Sequence, residues 1–121
     1  MSNGQRLANL GAIIVVAIIG IAVASGGSGS NTPTTANVTI DVKNAKPVGG
    51  VKKIKIKQGG TLNLKVNSDV ADEIHVHATD QHAEVKKGGS ISLTVKPTGT
   101  GNSEIELENH KQQIAELTIE P

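Results

Sequence analysis

The sequence predicts an all-β fold, an antiparallel Greek-key β-sandwich preceded by one apolar N-terminal segment. Between residues 37 and 121, short runs with an apolar residue at every second position are separated by Gly, Pro, Asn and Asp. A period of two is that of a strand with one buried face, and no stretch of this part shows a strong helical period. Short strands with regular turn signals are typical of sandwiches and barrels.

Each predicted strand has apolar residues on one face and polar residues on the other. Glycine pairs at residues 59–60 and 88–89 mark tight turns. We predict strands at residues 38–42, 52–57, 62–66, 72–80, 83–86, 91–95, 104–108 and 115–119. The side chains predicted to form the core are Ile40, Ile54, Ile56, Leu62, Leu64, Val66, Ile74, Val76, Leu93, Val95, Leu107, Leu117 and Ile119.

The composition excludes several classes of function. The chain of 121 residues has no Cys, Trp, Tyr or Phe, and its formal net charge is +1. Without Cys there is no disulfide, no thiolate nucleophile and no Cys-based metal site. Without aromatic rings there is no surface on which single-stranded nucleic acid stacks, and there is no basic field for phosphates. We therefore expect one domain and no nucleic-acid partner.

Residues 1–24 have the pattern of a transmembrane anchor or a signal peptide. Leu7–Ala24 is apolar except for one Asn, Arg6 precedes it, and no charged side chain follows before Asp41. A helix over this stretch would extend about 27 Å, close to the roughly 30 Å apolar thickness of a bilayer. The charge asymmetry predicts an N-terminus in the cytoplasm and a C-terminal part outside it.

Two fates of this segment remain open. The length of the apolar run favours an uncleaved single-pass anchor in the cell membrane. The small residues Ala22 and Ala24 fit a signal peptidase site, and cleavage there would give a secreted protein. Residues 25–36 are rich in Gly, Ser and Thr and predict a flexible linker to the domain at residues 37–121.

The strand predicted at residues 72–80 carries two of the four histidines. Residues two apart on a strand point to the same side, so His75 and His77 share one face while Ile74 and Val76 share the other. Neutral imidazole is the commonest protein ligand for metal ions. The pair is therefore a candidate metal site, and the alternative is two ordinary histidines on a solvated face.

Two motifs resemble those of a known family. Asp72-Glu-Ile-His75 is similar to the D-x-x-H that carries the first copper-ligand His of several cupredoxins. Residues 101–110 align with the family's G-x-Y-x-x-x-C-x-x-H, which places His110 at the second ligand His. Together with the strand order of residues 37–121, they resemble a membrane-tethered, extracytoplasmic cupredoxin-like domain. The resemblance implies a cupredoxin sandwich.

Departures from the family pattern determine the chemistry that the resemblance implies. Leu107 stands where the family has its Cys, and Ile114 lies near the place of the axial Met. A type 1 blue-copper centre needs the Cys thiolate, so type 1 copper is excluded. The resemblance leaves His75, His77 and His110 as candidate ligands for copper(II) or zinc.

Carboxylates near these histidines are candidate oxygen ligands or hydrogen-bond partners, namely Glu73, Asp80 and Glu108. His82 is assigned to a turn and stands outside the predicted ligand set. The alternative is a fold that has kept its shape and lost its metal, with His110 simply at the surface.

No motif indicates an enzyme. The sequence has no nucleophile elbow and no Gly-rich phosphate loop that opens a helix. We expect a non-enzymatic extracytoplasmic binding module that is metal-free and docks on another cell-envelope component. The alternative is a protein that binds a divalent metal, type 2 copper or zinc, through His75, His77 and His110.

Overall fold

The computed structural model describes residues 31–121. The predicted membrane or signal segment at residues 1–24 and residues 25–30, the first half of the predicted linker, lie outside the described residues. The described part consists of strands, turns and loops, and none of it forms a helix of the length and apolarity that crossing a membrane requires. The strands are β1 (Thr35–Lys43), β2 (Lys46–Pro47), β3 (Lys52–Lys57), β4 (Thr61–Ser68), β5 (Asp72–Val76), β6 (Gln81–Val85), β7 (Gly89–Val95), β8 (Gly101–Leu107) and β9 (Gln112–Glu120).

The strands form two sheets, and each sheet contains one parallel pair. One sheet has the order β2-β1-β4-β7 and the other the order β3-β9-β8-β5-β6. β1 runs parallel to β4, with Val38 opposite Leu64, and β3 runs parallel to β9, with Ile54 opposite Leu117. The predicted all-β sandwich is confirmed, but its sheets are mixed rather than purely antiparallel. Side chains alternate in the same way in both kinds of pairing, so the apolar period does not distinguish them.

The glycine turns connect the two sheets rather than neighbouring strands of one sheet. β3 ends at Lys57 and β4 begins at Thr61 in the other sheet, and Gly59 between them has a φ of 81°. Gly88, with a φ of 75°, lies between β6 and β7 in the same way. Glycine adopts these positive φ values without the steric cost of a Cβ. Because the chain changes sheet at these turns, strands that are distant in sequence become neighbours and can run parallel.

The inner faces of the two sheets enclose one apolar core. Every predicted core residue is buried except Leu93, which is half-buried on β7 at the edge of its sheet. Burying a Val, Leu or Ile side chain fully contributes about 1.5–3 kcal/mol, before the entropy cost of ordering it. The core also contains buried residues outside the predicted set, namely Val38, Val42, Val85, Ile105, Ile114 and Ala115.

The strand predicted at residues 72–80 is shorter than expected. β5 ends at Val76, and a turn leads into β6. Asp80, the last residue of the turn, has a left-handed φ of 53°, which Asp tolerates better than most residues. The turn reverses the chain so that His75 of β5 lies opposite His82 of β6. This correction moves His82 from a predicted turn into a strand beside His75.

Candidate metal centre

The outer faces of β5, β6 and β8 bring histidines and carboxylates side by side. On β5, Ile74 and Val76 are buried in the core, and His75 therefore points outward. In the register of the sheet, His75 lies opposite His82 of β6 on one side and opposite Glu106 of β8 on the other. His75 is thus the centre of a row that crosses three strands.

Three imidazole rings stack on this face, and we call His75, His77 and His82 the His ladder. The ring centroids of His75 and His77 lie 4.1 Å apart with 27° between the planes. Those of His75 and His82 also lie 4.1 Å apart, with 16° between the planes. The side chain of His75 is 16% exposed, whereas those of His77 and His82 are 41% and 42% exposed. His75 is therefore the central and most protected ring.

Two glutamates, Glu106 of β8 and Glu108 directly after it, approach the Nδ1 atom of His75. Glu108 Oε1 lies 2.9 Å from His75 Nδ1, and Glu106 Oε2 lies 3.8 Å from the same nitrogen. Glu106 Oε2 also lies 3.0 Å from His77 Nε2. One carboxylate oxygen thus faces two different rings of the His ladder.

Asp80 faces the opposite nitrogen of the same ring. Its Oδ1 atom lies 3.2 Å from His75 Nε2 and 3.3 Å from His82 Nε2. The hydrogen bonds with His75 and His82 hold the pKa of the Asp80 carboxyl below its ordinary value. The carboxylate is therefore ionised at neutral pH. A further glutamate, Glu73, places Oε2 3.3 Å from His82 Nδ1.

Two overlapping groups of side chains have the spacing of metal ligands. One consists of His75, His77 and Glu106, and the other of His75, His82 and Glu108. In each group, one donor atom per residue lies within 4.8 Å of the other two. Ligands about 2.0–2.1 Å from a tetrahedral ion lie about 3.3 Å from one another, so small side-chain rotations would close the remaining gap. Imidazole nitrogen and carboxylate oxygen together suit zinc and copper(II).

His110 lies outside the His ladder because a buried carboxylate holds it elsewhere. Asp72 is an odd number of residues from His75, so its side chain points to the inner face of β5, where it is fully buried. Asp72 Oδ2 lies 2.5 Å from His110 Nδ1, and the carboxylate also accepts hydrogen bonds from the backbone N–H groups of Asn109 and His110. Neither ligand group among the described residues contains His110. The structure thus brings together His75 and His77 of the predicted set, but not His110.

Opposing effects act on the pKa of Asp72. Burial raises it, but hydrogen bonds from the His110 ring and from the N–H groups of Asn109 and Glu73 outweigh burial and hold it below its ordinary value. Asp72 is therefore an ionised, fully paired carboxylate at neutral pH. Its contact with Nδ1 favours the His110 tautomer that carries its proton on that nitrogen.

The positions aligned with the blue-copper Cys and Met belong to the apolar core. Leu107 and Ile114 are completely buried among aliphatic side chains. Neither side chain has an atom that can bind a metal ion. Because the chain has no Cys at all, a type 1 copper centre lacks its thiolate.

His82 and Glu106 are the site residues that the sequence interpretation left out. The alternating glutamates at residues 104–108 indicated an outward face, but not which strand would lie beside it. His82 pairs with His75 because the chain reverses between Val76 and Gln81. The prediction of one continuous strand over residues 72–80 did not include this reversal, so it did not place His82 beside His75.

No family model matches the chain, and no curated protein matches it. Solved structures do resemble it. The Cu(I)-bound metal-binding domain of the Cu(I)-exporting P-type ATPase CopA of Streptococcus pneumoniae D39 is 11% identical, with a TM-score of 0.58 over 70% of this chain and 85% of that one. Reduced auracyanin of Roseiflexus castenholzii is 12% identical, with a TM-score of 0.55 over 74% of this chain and 99% of that one. The fold is cupredoxin-like.

A third match extends over nearly the whole chain. It is a chain of a heme–copper terminal oxidase dimer, 17% identical, with a TM-score of 0.55 over 98% of each chain. At these identities the matches establish the fold of this cupredoxin-like domain and nothing about its ligands. Its chemistry therefore has to be argued from the His ladder itself.

Proposed function

We propose that the cupredoxin-like domain binds a divalent transition-metal ion through the His ladder. The observation that carries this proposal is the position of His75, whose two ring nitrogens face Glu108 at 2.9 Å and Asp80 at 3.2 Å between two stacked imidazoles. His75 and His82 stand on paired strands, which fixes their backbones. A metal ion would also offset the repulsion among the clustered carboxylates.

The donor atoms favour copper(II) or zinc over copper(I). Copper(I) prefers soft thiolate and thioether ligands, whereas imidazole and carboxylate suit zinc and copper(II). The chain has no Cys, and its one Met is the first residue. The similar CopA domain was solved with Cu(I). We therefore propose that this domain shares the fold of that protein and takes a harder, divalent ion.

We propose a non-enzymatic role, as a carrier or sensor of the ion outside the cytoplasm. The apolar segment Leu7–Ala24 and the single cation Arg6 before it support a membrane tether with the domain on the far side. A tether of this kind agrees with the similarity to a chain of a heme–copper terminal oxidase over 98% of both lengths. The ligand role predicted for His110 would have to use its Nε2 atom, outside both ligand groups, since Asp72 occupies its Nδ1 atom.

A second candidate function is docking on another cell-envelope protein. The oxidase similarity favours it, because that chain belongs to a larger assembly. The loop between β2 and β3 also exposes Val48 and Val51, which are 50% and 39% exposed. Purification of the full-length protein from membranes, followed by mass spectrometry, tests this function. Recovery of a heme–copper oxidase subunit, lost in the Val48→Ser Val51→Ser variant, would support docking, and recovery of the protein alone would contradict it.

Calorimetric titration of the full-length protein with zinc(II) or copper(II) tests the metal proposal. We expect a Kd of about 10 µM or tighter, weakened at least about tenfold, or ~1.4 kcal/mol, in His75→Ala. His110→Ala is the matched control and should bind as the wild type does. Binding no tighter than millimolar, or an affinity that His75→Ala leaves unchanged, would contradict the proposal.

A further inference from the structure

We propose that His75 bridges two metal ions, one at each nitrogen of its ring, so that the His ladder is a binuclear site. This inference rests on the proposed function and adds the number and placement of the ions. It comes from a feature that a single ion leaves unexplained. The two nitrogens of His75 face opposite ways, each is met by a carboxylate, and the rings of His77 and His82 stack on the ring of His75.

The first ion position lies at His75 Nδ1, on the side of β8. Glu108 Oε1 is 2.9 Å and Glu106 Oε2 is 3.8 Å from that nitrogen. Glu106 Oε2 is also 3.0 Å from His77 Nε2, which connects the second imidazole to the same place. The ligand group of His75, His77 and Glu106 would supply three donors to this ion. Glu108, which also faces His75 Nδ1, would supply the fourth donor of a four-coordinate divalent ion.

The second ion position lies at His75 Nε2, on the side of β6. Asp80 Oδ1 lies 3.2 Å from His75 Nε2 and 3.3 Å from His82 Nε2. These separations are those of neighbouring ligands on a tetrahedral ion, about 3.3 Å. Asp80 is in the turn and its side chain is 83% exposed, so water can complete the coordination.

Two divalent ions neutralise the carboxylates around the His ladder more fully than one ion does. A ring that binds metal through both nitrogens gives up its remaining N–H proton to solvent and becomes a monoanion. Glu106, Glu108, Asp80 and Glu73 supply four further negative charges, which together with the His75 imidazolate exceed the four positive charges of two divalent ions by one. A single ion beside a neutral His75 ring would leave an excess of two negative charges.

Metal counting in the full-length protein tests the bridge. Native mass spectrometry after addition of zinc(II) should show two ions per chain in the wild type and in His110→Ala. His82→Ala removes a ligand of the second position only, and His77→Ala removes one of the first position only, so each should retain one ion. Both rings are exposed enough for folding to survive their truncation, and circular dichroism checks it.

Electron paramagnetic resonance of the copper(II)-loaded wild type tests the bridge without any substitution. Two copper(II) ions joined by one imidazolate ring couple magnetically, so the signal should integrate to fewer spins than the copper present. In His82→Ala, the remaining ion should give its full signal. One ion per chain in the wild type, or two ions with a full uncoupled signal, would overturn the bridge and leave the proposed function standing. Absence of any binding would overturn both.

Discussion

Asp72, the first residue of β5, is hydrogen-bonded to His110, with 2.5 Å between Asp72 Oδ2 and His110 Nδ1. The same carboxylate accepts hydrogen bonds from the backbone of Asn109, His110 and Glu73. It therefore fastens the loop between β8 and β9 to the beginning of β5. A histidine whose position resembles a copper ligand is here part of the scaffold of the domain.

Removal of the Asp72 carboxylate should destabilise the domain. In Asp72→Ala, the backbone N–H groups of Asn109 and His110 lose their acceptor. Each hydrogen bond to a charged group contributes about 1.5–3 kcal/mol to stability, so we expect the free energy of unfolding to fall by about that amount or more. Urea unfolding at neutral pH measures it. Glu84→Ala, at an exposed position on β6, is the control and should change stability by about 0.5 kcal/mol or less. An equal effect of the two substitutions would contradict the scaffold role.

Asp72 should also make stability depend on pH in the acid range. Its pKa is lower in the folded protein than the ordinary 3.8, so the unfolded chain binds more protons between the two values. The stabilisation is thus complete well above pH 3.8 and is lost as the pH falls through that value toward the folded pKa. Unfolding free energies at several pH values between about 5 and 3 should fall more steeply in the wild type than in Asp72→Asn. Parallel curves would show that Asp72 does not carry the effect.

Leu64 tests the core register of β4. It is 1% exposed, pairs with Val38 of β1 and Leu93 of β7, and points between the sheets. Leu64→Ala should cost about 2–5 kcal/mol in denaturant unfolding, because truncation leaves a cavity. Val48→Ala, at an exposed position, should cost about 0.5 kcal/mol or less. A loss at Leu64 as small as that at Val48 would place Leu64 on the surface.

The sequence predicted the core and the strands better than their arrangement. The period of two identified inward residues of most strands, because burial on one face imposes it, but it missed Val85 of β6 and Ile114 of β9. Leu93 was predicted to be buried because it alternates with polar residues as an inward residue does. It is only half-buried because β7 lies at the edge of its sheet. The parallel pairs β1–β4 and β3–β9 depend on where the chain changes sheet, and the turn residues carry no such information.

Only part of the candidate site could be predicted, because the sequence shows which residues share a face of one strand but not which strands lie side by side. The period of two predicted that His75 and His77 share a face, and their rings do stack, although His77 is the first residue after β5. His82 and Glu106 join them through strand pairing, which a single sequence does not specify. The predicted third ligand, His110, came from a family pattern, whereas its actual partner, Asp72, lies on the inner face of the same strand as His75.

Copper(II) bound to the His ladder should give a pale complex. The intense blue absorption of type 1 centres arises with a Cys thiolate, and this chain has no Cys. The visible spectrum of the copper-loaded protein should therefore show weak bands only, and these should disappear in His75→Ala. An intense blue band in the wild type would contradict the ligand assignment.

Imidazole nitrogen NMR during a zinc(II) titration tests the central claim most directly, because all four histidines report in one spectrum. Single His→Ala variants assign the ring signals. Zinc(II) should shift the ring nitrogens of His75, His77 and His82 and leave those of His110 in place, so His110 serves as an internal control. A shift of His110 with the His ladder unmoved, or no shift of any ring at millimolar zinc(II), would contradict the account.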